Sequence, residues 1–140
     1  MPVSTHHLSV SMAGNSQMHN LTEQLRQAIT ESGLTDGVAT VFVKHTTASV
    51  MIIEDEPGIR ADTVRFWNRL LPADPQLEHN TRNHGEDNGH SHLRGQLQGP
   101  SVTIPFIESR PALGTWQQLV LIDFDTRART RELIIQVMGE

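Results

Sequence analysis

Val38-Ala39-Thr40-Val41-Phe42-Val43 and Ala48-Ser49-Val50-Met51-Ile52-Ile53 are rich in β-branched residues, and only Lys44-His45-Thr46-Thr47 separates them. Such side chains lose little freedom on a pleated surface and crowd a helix, so both runs predict strands. The first runs from Gly37 to His45, and the junction is expected to be a tight turn or a bulge. Upstream, Thr5 to Met12 alternates Leu8, Val10 and Met12 with His7, Ser9 and Ser11, the pattern of a half-buried strand. Downstream, strands are expected over Ser101–Ile107, Trp116–Phe124 and Glu132–Met138. Val120-Leu121-Ile122 and Leu133-Ile134-Ile135 are apolar at successive positions, which predicts cover on both faces.

Two main helices fit between the strands. Asn20 to Ser32 places Leu21, Leu25, Ala28 and Ile29 at helical spacing, with Asn20 as cap, Glu23 three residues on and Gly33 as stop. Pro57 to Leu71 follows Glu54-Asp55-Glu56, with Ile59, Thr63, Phe66, Trp67 and Leu70 on one face, and Pro72 and Pro75 ending it. His90 to Leu97 is a candidate for a third, short helix. Strands in adjacent pairs with helices inserted predict one α+β domain over residues 1–140, with a largely antiparallel sheet.

The 140 residues suit one domain with a real core. Hydrophobic residues make up 36% and the net charge is -5. That balance argues against sequence-independent binding to nucleic acid, which needs a basic surface. The absence of cysteine removes thiolate nucleophiles, disulfides and cysteine metal sites together. No apolar stretch approaches the ~20 residues that cross a bilayer, and Met1 to Met12 has no secretory pattern, so the reading is a cytoplasmic protein without a membrane partner.

Chemistry concentrates in the polar stretch from Ala73 to Gly89 and just beyond. His79-Asn80-Thr81-Arg82-Asn83-His84-Gly85-Glu86-Asp87-Asn88-Gly89-His90-Ser91-His92 holds four of the eight histidines. At nearly twenty residues the stretch exceeds the ~12–15 usual for an unstructured connection, which points to function. His90 and His92 would share a face on an extended backbone and diverge by about 200 degrees on a helix, so a metal held by both requires a non-helical segment. His79 and His45 could add ligands, and three nitrogens with an open position would suit zinc. The other reading of the same histidines is a hydrogen-bonded polar loop that binds substrate or faces water. Arg127, Arg129 and Arg131 alternate, and on a strand they would clamp a phosphate or else flank Asp123 and Asp125 in a solvated turn. Glu54, Asp55 and Glu56 offer acid–base or magnesium chemistry, or simply complement a helix terminus. Trp116 reads as core. Gly95, Gly99 and Gly114 make no phosphate loop.

Five segments together resemble one family: His45-Thr46-Thr47-Ala48-Ser49, Asn88-Gly89-His90-Ser91-His92-Leu93-Arg94, Gly99-Pro100-Ser101-Val102-Thr103-Ile104-Pro105, Leu113-Gly114-Thr115-Trp116-Gln117-Gln118 and Ile134-Ile135-Gln136-Val137-Met138-Gly139. In this combination the chain resembles the YjbQ-like family, often labelled secondary thiamine-phosphate synthase. The resemblance implies a compact domain with a β-sandwich-like core, a homotrimer, and a polar pocket near a subunit interface around His45, Glu54, His79, His92 and the Arg127–Arg131 segment. It also implies a weak activity, joining hydroxymethylpyrimidine diphosphate to thiazole phosphate with release of pyrophosphate. Many relatives carry asparagine where this chain has Ile53, so that residue's role is not carried over.

The expectations are therefore His45 and Glu54 as catalytic residues and His79, His90 and His92 as metal ligands. Thr46, Thr47, Asn88, Arg127, Arg129 and Arg131 are expected to bind substrate. The cofactor would be a divalent ion, zinc or magnesium, and the ligand a small phosphorylated metabolite. A histidine–metal hydrolase and a non-enzymatic module binding such a metabolite stay open beside the synthase.

Overall fold

A computed structural model describes all 140 residues. The elements in chain order are β1 (Val3–Met12), β2 (Gln17–Asn20), α1 (Thr22–Ser32), β3 (Gly37–Val43), β4 (Ala48–Ile53) and α2 (Pro57–Leu70). Then follow α3 (Glu78–Arg82), α4 (Gly89–Gln98), β5 (Ser101–Ile107), β6 (Arg110–Pro111), β7 (Gln118–Asp123) and β8 (Arg129–Gly139). Every pairing is antiparallel, in a five-stranded sheet ordered β1-β8-β3-β5-β6 and a three-stranded sheet ordered β2-β7-β4. The result is one α+β domain with a sandwich-like core, as expected. No helix is long and apolar enough to cross a membrane.

The runs at 38–43 and 48–53 are both strands, but they do not pair. β3 lies in the large sheet and β4 in the small one. Lys44–Thr47 is a corner that carries the chain from one sheet to the other. At its start the Lys44 N–H donates to Glu132 O at 3.0 Å, and at its end the Phe124 N–H donates to Thr47 O at 2.9 Å. That corner is where the site forms.

β7 shows why an apolar strand needs two covers. Leu119 and Leu121 enter the main core with Leu25 and Ile29 of α1, Val41 of β3 and Ile135 of β8. Val120 and Ile122 point the other way, into a smaller cluster with Met18, Met51, Trp67 and Phe124. Each such side chain contributes about 1.5–3 kcal/mol on burial, so both faces must be covered. β8 departs from that expectation. Leu133, Ile135 and Val137 are buried, while Glu132, Gln136 and Met138 are exposed and Ile134 is half-buried. Its second face has no cover within the chain.

α1 begins at Thr22, because Asn20 ends β2; the Asn20 side chain still accepts from the Thr22 N–H at 2.9 Å. β2 itself was missed, four residues being too few for a period. On α2 only Trp67 is buried; Phe66 and Leu70 face outward, because the helix meets the small cluster on the three-stranded sheet through Trp67 and the half-buried Val64. Trp116 is 70% exposed, in the turn before β7, and so is not core.

α4 is helical from Gly89, closing the sequence question about His90 and His92. It lies against the corner because Gly95 carries no side chain. A Cβ there would stand 2.6 Å from Thr46 O, a backbone atom that cannot yield.

Candidate functional site

The corner 44–47, the end of β7, the start of β8 and the α3–α4 segment enclose a cavity of about 740 Å³. Its twelve lining residues include no hydrophobic one. Lys44, Arg129 and Arg131 supply positive charge, Glu86 and Asp125 negative, and His45, His79 and His92 imidazoles.

Beneath the cavity lies a buried charged network. Arg131 is 1% exposed and Asp123 0%. Arg131 Nε donates to Asp123 Oδ2 at 2.6 Å and Nη2 to Asp123 Oδ1 at 2.7 Å, a bidentate pair. Nη2 also donates to Thr47 Oγ1 at 2.8 Å, and the Thr47 hydroxyl donates on to Asp125 Oδ2 at 2.8 Å. Asp125 further accepts from Arg129 Nε at 2.7 Å, the Thr126 N–H at 2.7 Å and Asn88 Nδ2 at 3.3 Å. Burial by itself would raise the Asp125 carboxyl. The hydrogen bonds from Thr47, Thr126 and Asn88, with Arg129 alongside, outweigh it and hold the group below its ordinary range. Asp125 is thus a fixed anion whose oxygens are occupied by donors.

Hydrogen bonds fix two of the three imidazoles, and the network holds one of them. Asn88 gives its amide to Asp125, so its Oδ1 is the acceptor that meets His79 Nε2 at 3.0 Å. His79 must therefore carry a proton on Nε2, which in the neutral ring leaves the lone pair on Nδ1. The His92 ring sits 4.4 Å from that of His79, centre to centre. Burial, then the neighbouring His79, lowers the pKa of His92 and keeps it neutral near pH 7. His45 accepts the Glu132 N–H on Nε2 at 2.9 Å, in place of a further rung of the β3–β8 ladder. Its proton consequently sits on Nδ1, and burial followed by Arg131 lowers its pKa. The site therefore presents His45 and His92, whose pKa values are lowered, and His45 and His79, whose ring hydrogen bonds define which nitrogen carries the proton, next to cationic side chains.

His90, Glu54 and Arg127 stand apart from this centre. On the helix, His90 diverges from His92 and borders a different cavity with Asp74, Asp87 and Thr126. Its Nδ1 is buried without a partner, and burial followed by Arg94 lowers its pKa. An unprotonated Nδ1 is the cheaper orphan, so the proton belongs on Nε2. Glu54 is exposed in a small cleft with Trp116 and Gln118. Its neighbours serve structure: Glu56 caps α2 through the Gly58 and Ile59 N–H groups, and Asp55 pairs with Arg60 and Asn20. Arg127 precedes β8, reaching Gly85 O at 3.3 Å and Glu86 at 3.9 Å. The structure also brings in Asp123, Asp125, Lys44, Glu86 and Thr130, none of which the sequence marked as a site residue. For Asp123 and Asp125 the available signal was a pair of carboxylates closing an apolar strand, beside alternating arginines.

A metal fits this arrangement poorly. Nowhere do three His, Asp or Glu side chains converge as a ligand set, and within the cavity only the His79 and His92 rings adjoin. A zinc site with three protein nitrogens would need a third donor there, and His90 faces elsewhere.

Comparison with known proteins agrees with the fold. A family model described as UPF0047 protein YjbQ-like matches residues 6–140. A UPF0047 protein of Synechocystis sp. is 36% identical over 135 residues, 95% of this chain and 90% of its own length. The UPF0047 protein YugU of Bacillus subtilis is 30% identical over 133 residues, 94% of this chain and 97% of its own. Among solved structures, a hypothetical protein of Aeropyrum pernix K1 superposes with a TM-score of 0.89 at 30% identity, covering 98% of this chain and 99% of that one. A yjbq/upf0047 protein of Clostridium acetobutylicum gives 0.85 at 29% identity, with 95% and 99% covered.

Proposed function

The chain belongs to the YjbQ-like UPF0047 family, and from the site it carries we propose that it binds a small phosphorylated metabolite in the polar cavity and acts on it there. One observation carries the reading. A cavity of about 740 Å³ without a hydrophobic lining residue gathers Lys44, Arg129 and three imidazoles, with Arg129 tied to Asp125, His79 to Asn88 and His45 to the Glu132 N–H. Preorganised donors of this kind stabilise a phosphate and the charge that develops as one departs.

The specific reaction we propose is the synthase reaction that the family resemblance implies. The bond between the pyrimidine methylene carbon and the diphosphate oxygen breaks, both electrons leaving with pyrophosphate. The thiazole nitrogen then donates its pair to the methylene carbon. No proton need move and no side chain need act as nucleophile. Lys44 and Arg129 receive the departing charge, helped by the His45 Nδ1–H. Thr46, Thr47 and Thr130 border the phosphate, and His79 and His92 orient the rings. Glu54, outside the cavity of one chain, has no part in this scheme, and no step passes through a metal. The proposed assembly is a homotrimer, whose contact surface would be the uncovered face of β8 with Phe42 and Met138; light scattering tests it.

The test is calorimetric titration with pyrophosphate, followed by an assay for thiamine phosphate from the two precursors. Saturable binding that weakens about tenfold in Arg129→Ala is expected, because a hydrogen bond to a charged group is worth about 1.5–3 kcal/mol. Absence of pyrophosphate binding would remove the whole reading. Binding without turnover would leave the non-enzymatic module in its place.

A further inference from the structure

A second cavity, of about 270 Å³, adjoins the first. Its lining residues are Leu77, Glu78, His79, Gly89, His92, Leu93 and Gln96. His79 and His92 border both spaces. The second space is the groove between α3 and α4. Gly89, His92, Leu93 and Gln96 fall at i, i+3, i+4 and i+7, one continuous stripe of α4, and Leu77, Glu78 and His79 face it from the start of α3. Gly89 closes the groove at one end. A Cβ there would meet Leu77 Cδ1 at 3.0 Å and Asn80 Oδ1 at 3.1 Å, so a larger residue would push these two side chains back by a few tenths of an ångström.

The two spaces differ in chemistry. The first has no hydrophobic lining residue; the second has Leu77 and Leu93 and no arginine or lysine. Leu93 is 37% exposed although it sits in a groove, so apolar area is left for a ligand to cover. At the junction, two flat imidazoles adjoin, with Asn88 holding one of them in plane.

Resting on the phosphate-binding reading, we infer that the site is bipartite. The phosphate of the metabolite lies in the polar cavity, and a flat apolar or aromatic group on the same molecule crosses the His79–His92 pair into the α3–α4 groove. Leu93 and Leu77 then select for that group, and Gln96 sets its outer edge. The substrate class is a phosphate monoester or diphosphate of an aromatic alcohol, in preference to free phosphate or a small aliphatic ester. Covering some 50 Å² of apolar surface corresponds to about a tenfold gain in affinity.

The experiment compares methyl phosphate and phenyl phosphate by calorimetric titration of the full chain. Wild type is expected to bind phenyl phosphate about tenfold more tightly. Leu93→Ser, at a position open enough to keep the fold, should abolish that ratio and leave methyl phosphate binding unchanged. Gln96→Leu should enlarge the ratio. Arg129→Ala should weaken both ligands and preserve the ratio. A wild-type ratio near one, or a ratio that survives Leu93→Ser, overturns the bipartite site while the phosphate reading stands. Failure of both esters to bind overturns both.

Discussion

Replacing Asp123 by asparagine tests the buried network that holds the site together. Arg131 and Asp123 are shut off from water at 1% and 0% exposure, and they share two charged hydrogen bonds of 2.6 and 2.7 Å. Removing one charge from a buried pair typically costs about 3–5 kcal/mol, because the other ion stays desolvated without its partner. Here Asp125 Oδ2 stands 3.7 Å from Arg131 Nη2 and returns part of that attraction, which places the loss at about 3 kcal/mol. Unfolding entropy of about 2.1 cal/mol/K per residue then converts the loss to a fall in Tm of about 10 °C. The assay is urea and thermal unfolding followed by circular dichroism, at pH 7.5. Arg131→Met should cost a similar amount, since it strands Asp123. The double variant Asp123→Leu/Arg131→Met should recover most of the loss, since two apolar groups leave no buried charge. A loss below about 1 kcal/mol in Asp123→Asn, or a double variant as unstable as the two losses added, would refute the reasoning.

Gly95→Ala sets a Cβ against Thr46 O at 2.6 Å, so α4 must move off the corner; overpacking of this kind costs about 1–3 kcal/mol, and the shift of His92 should also weaken pyrophosphate binding. Unchanged unfolding and unchanged titration in that variant would show that α4 does not rest on the corner. Acidification should lower stability in two windows. His45, His90 and His92 have folded pKa values below 6.5, so the unfolded chain takes up protons first and stability falls as pH drops through and below 6.5. Asp125 lies below 3.8, so its contribution is complete above that value and is lost as pH falls further, through the folded pKa. Urea midpoints at pH 7.5 and 5.5 check the first window; His90→Leu should shrink the difference, and an equal difference in the variant would count against it. Elemental analysis of purified protein should find no stoichiometric transition metal, because the cavity lacks a third ligand beside His79 and His92. Near-stoichiometric zinc that disappears in His92→Ala would reverse that conclusion and favour the hydrolase.

The strands at Gly37–Val43, Ala48–Ile53 and Ser101–Ile107 could be read from the sequence because their β-branched runs are local statements about backbone preference. The sequence also singled out the histidine-rich stretch and the arginines around the start of β8, and the structure places His45, His79, Asn88, His92, Arg129 and Arg131 around one cavity. Local pattern does not specify partners. Whether β3 and β4 pair, or turn a corner between two sheets, depends on which strands lie alongside, and β8 and β7 were far away in sequence. The same limit separated the site residues. His90 and His92, two apart, part company because the segment is helical, whereas His79, Asn88 and Asp125 join across 46 residues through hydrogen bonds. Glu54 left the centre because its segment ends β4 at the far side of the small sheet from the corner. Residue chemistry was settled by the sequence alone: imidazoles, guanidiniums and hydroxyls, without a thiol. Which of them share one cavity, in which tautomer and charge state, was decided only by the tertiary structure, since burial and hydrogen-bond partners arise from contacts between distant segments.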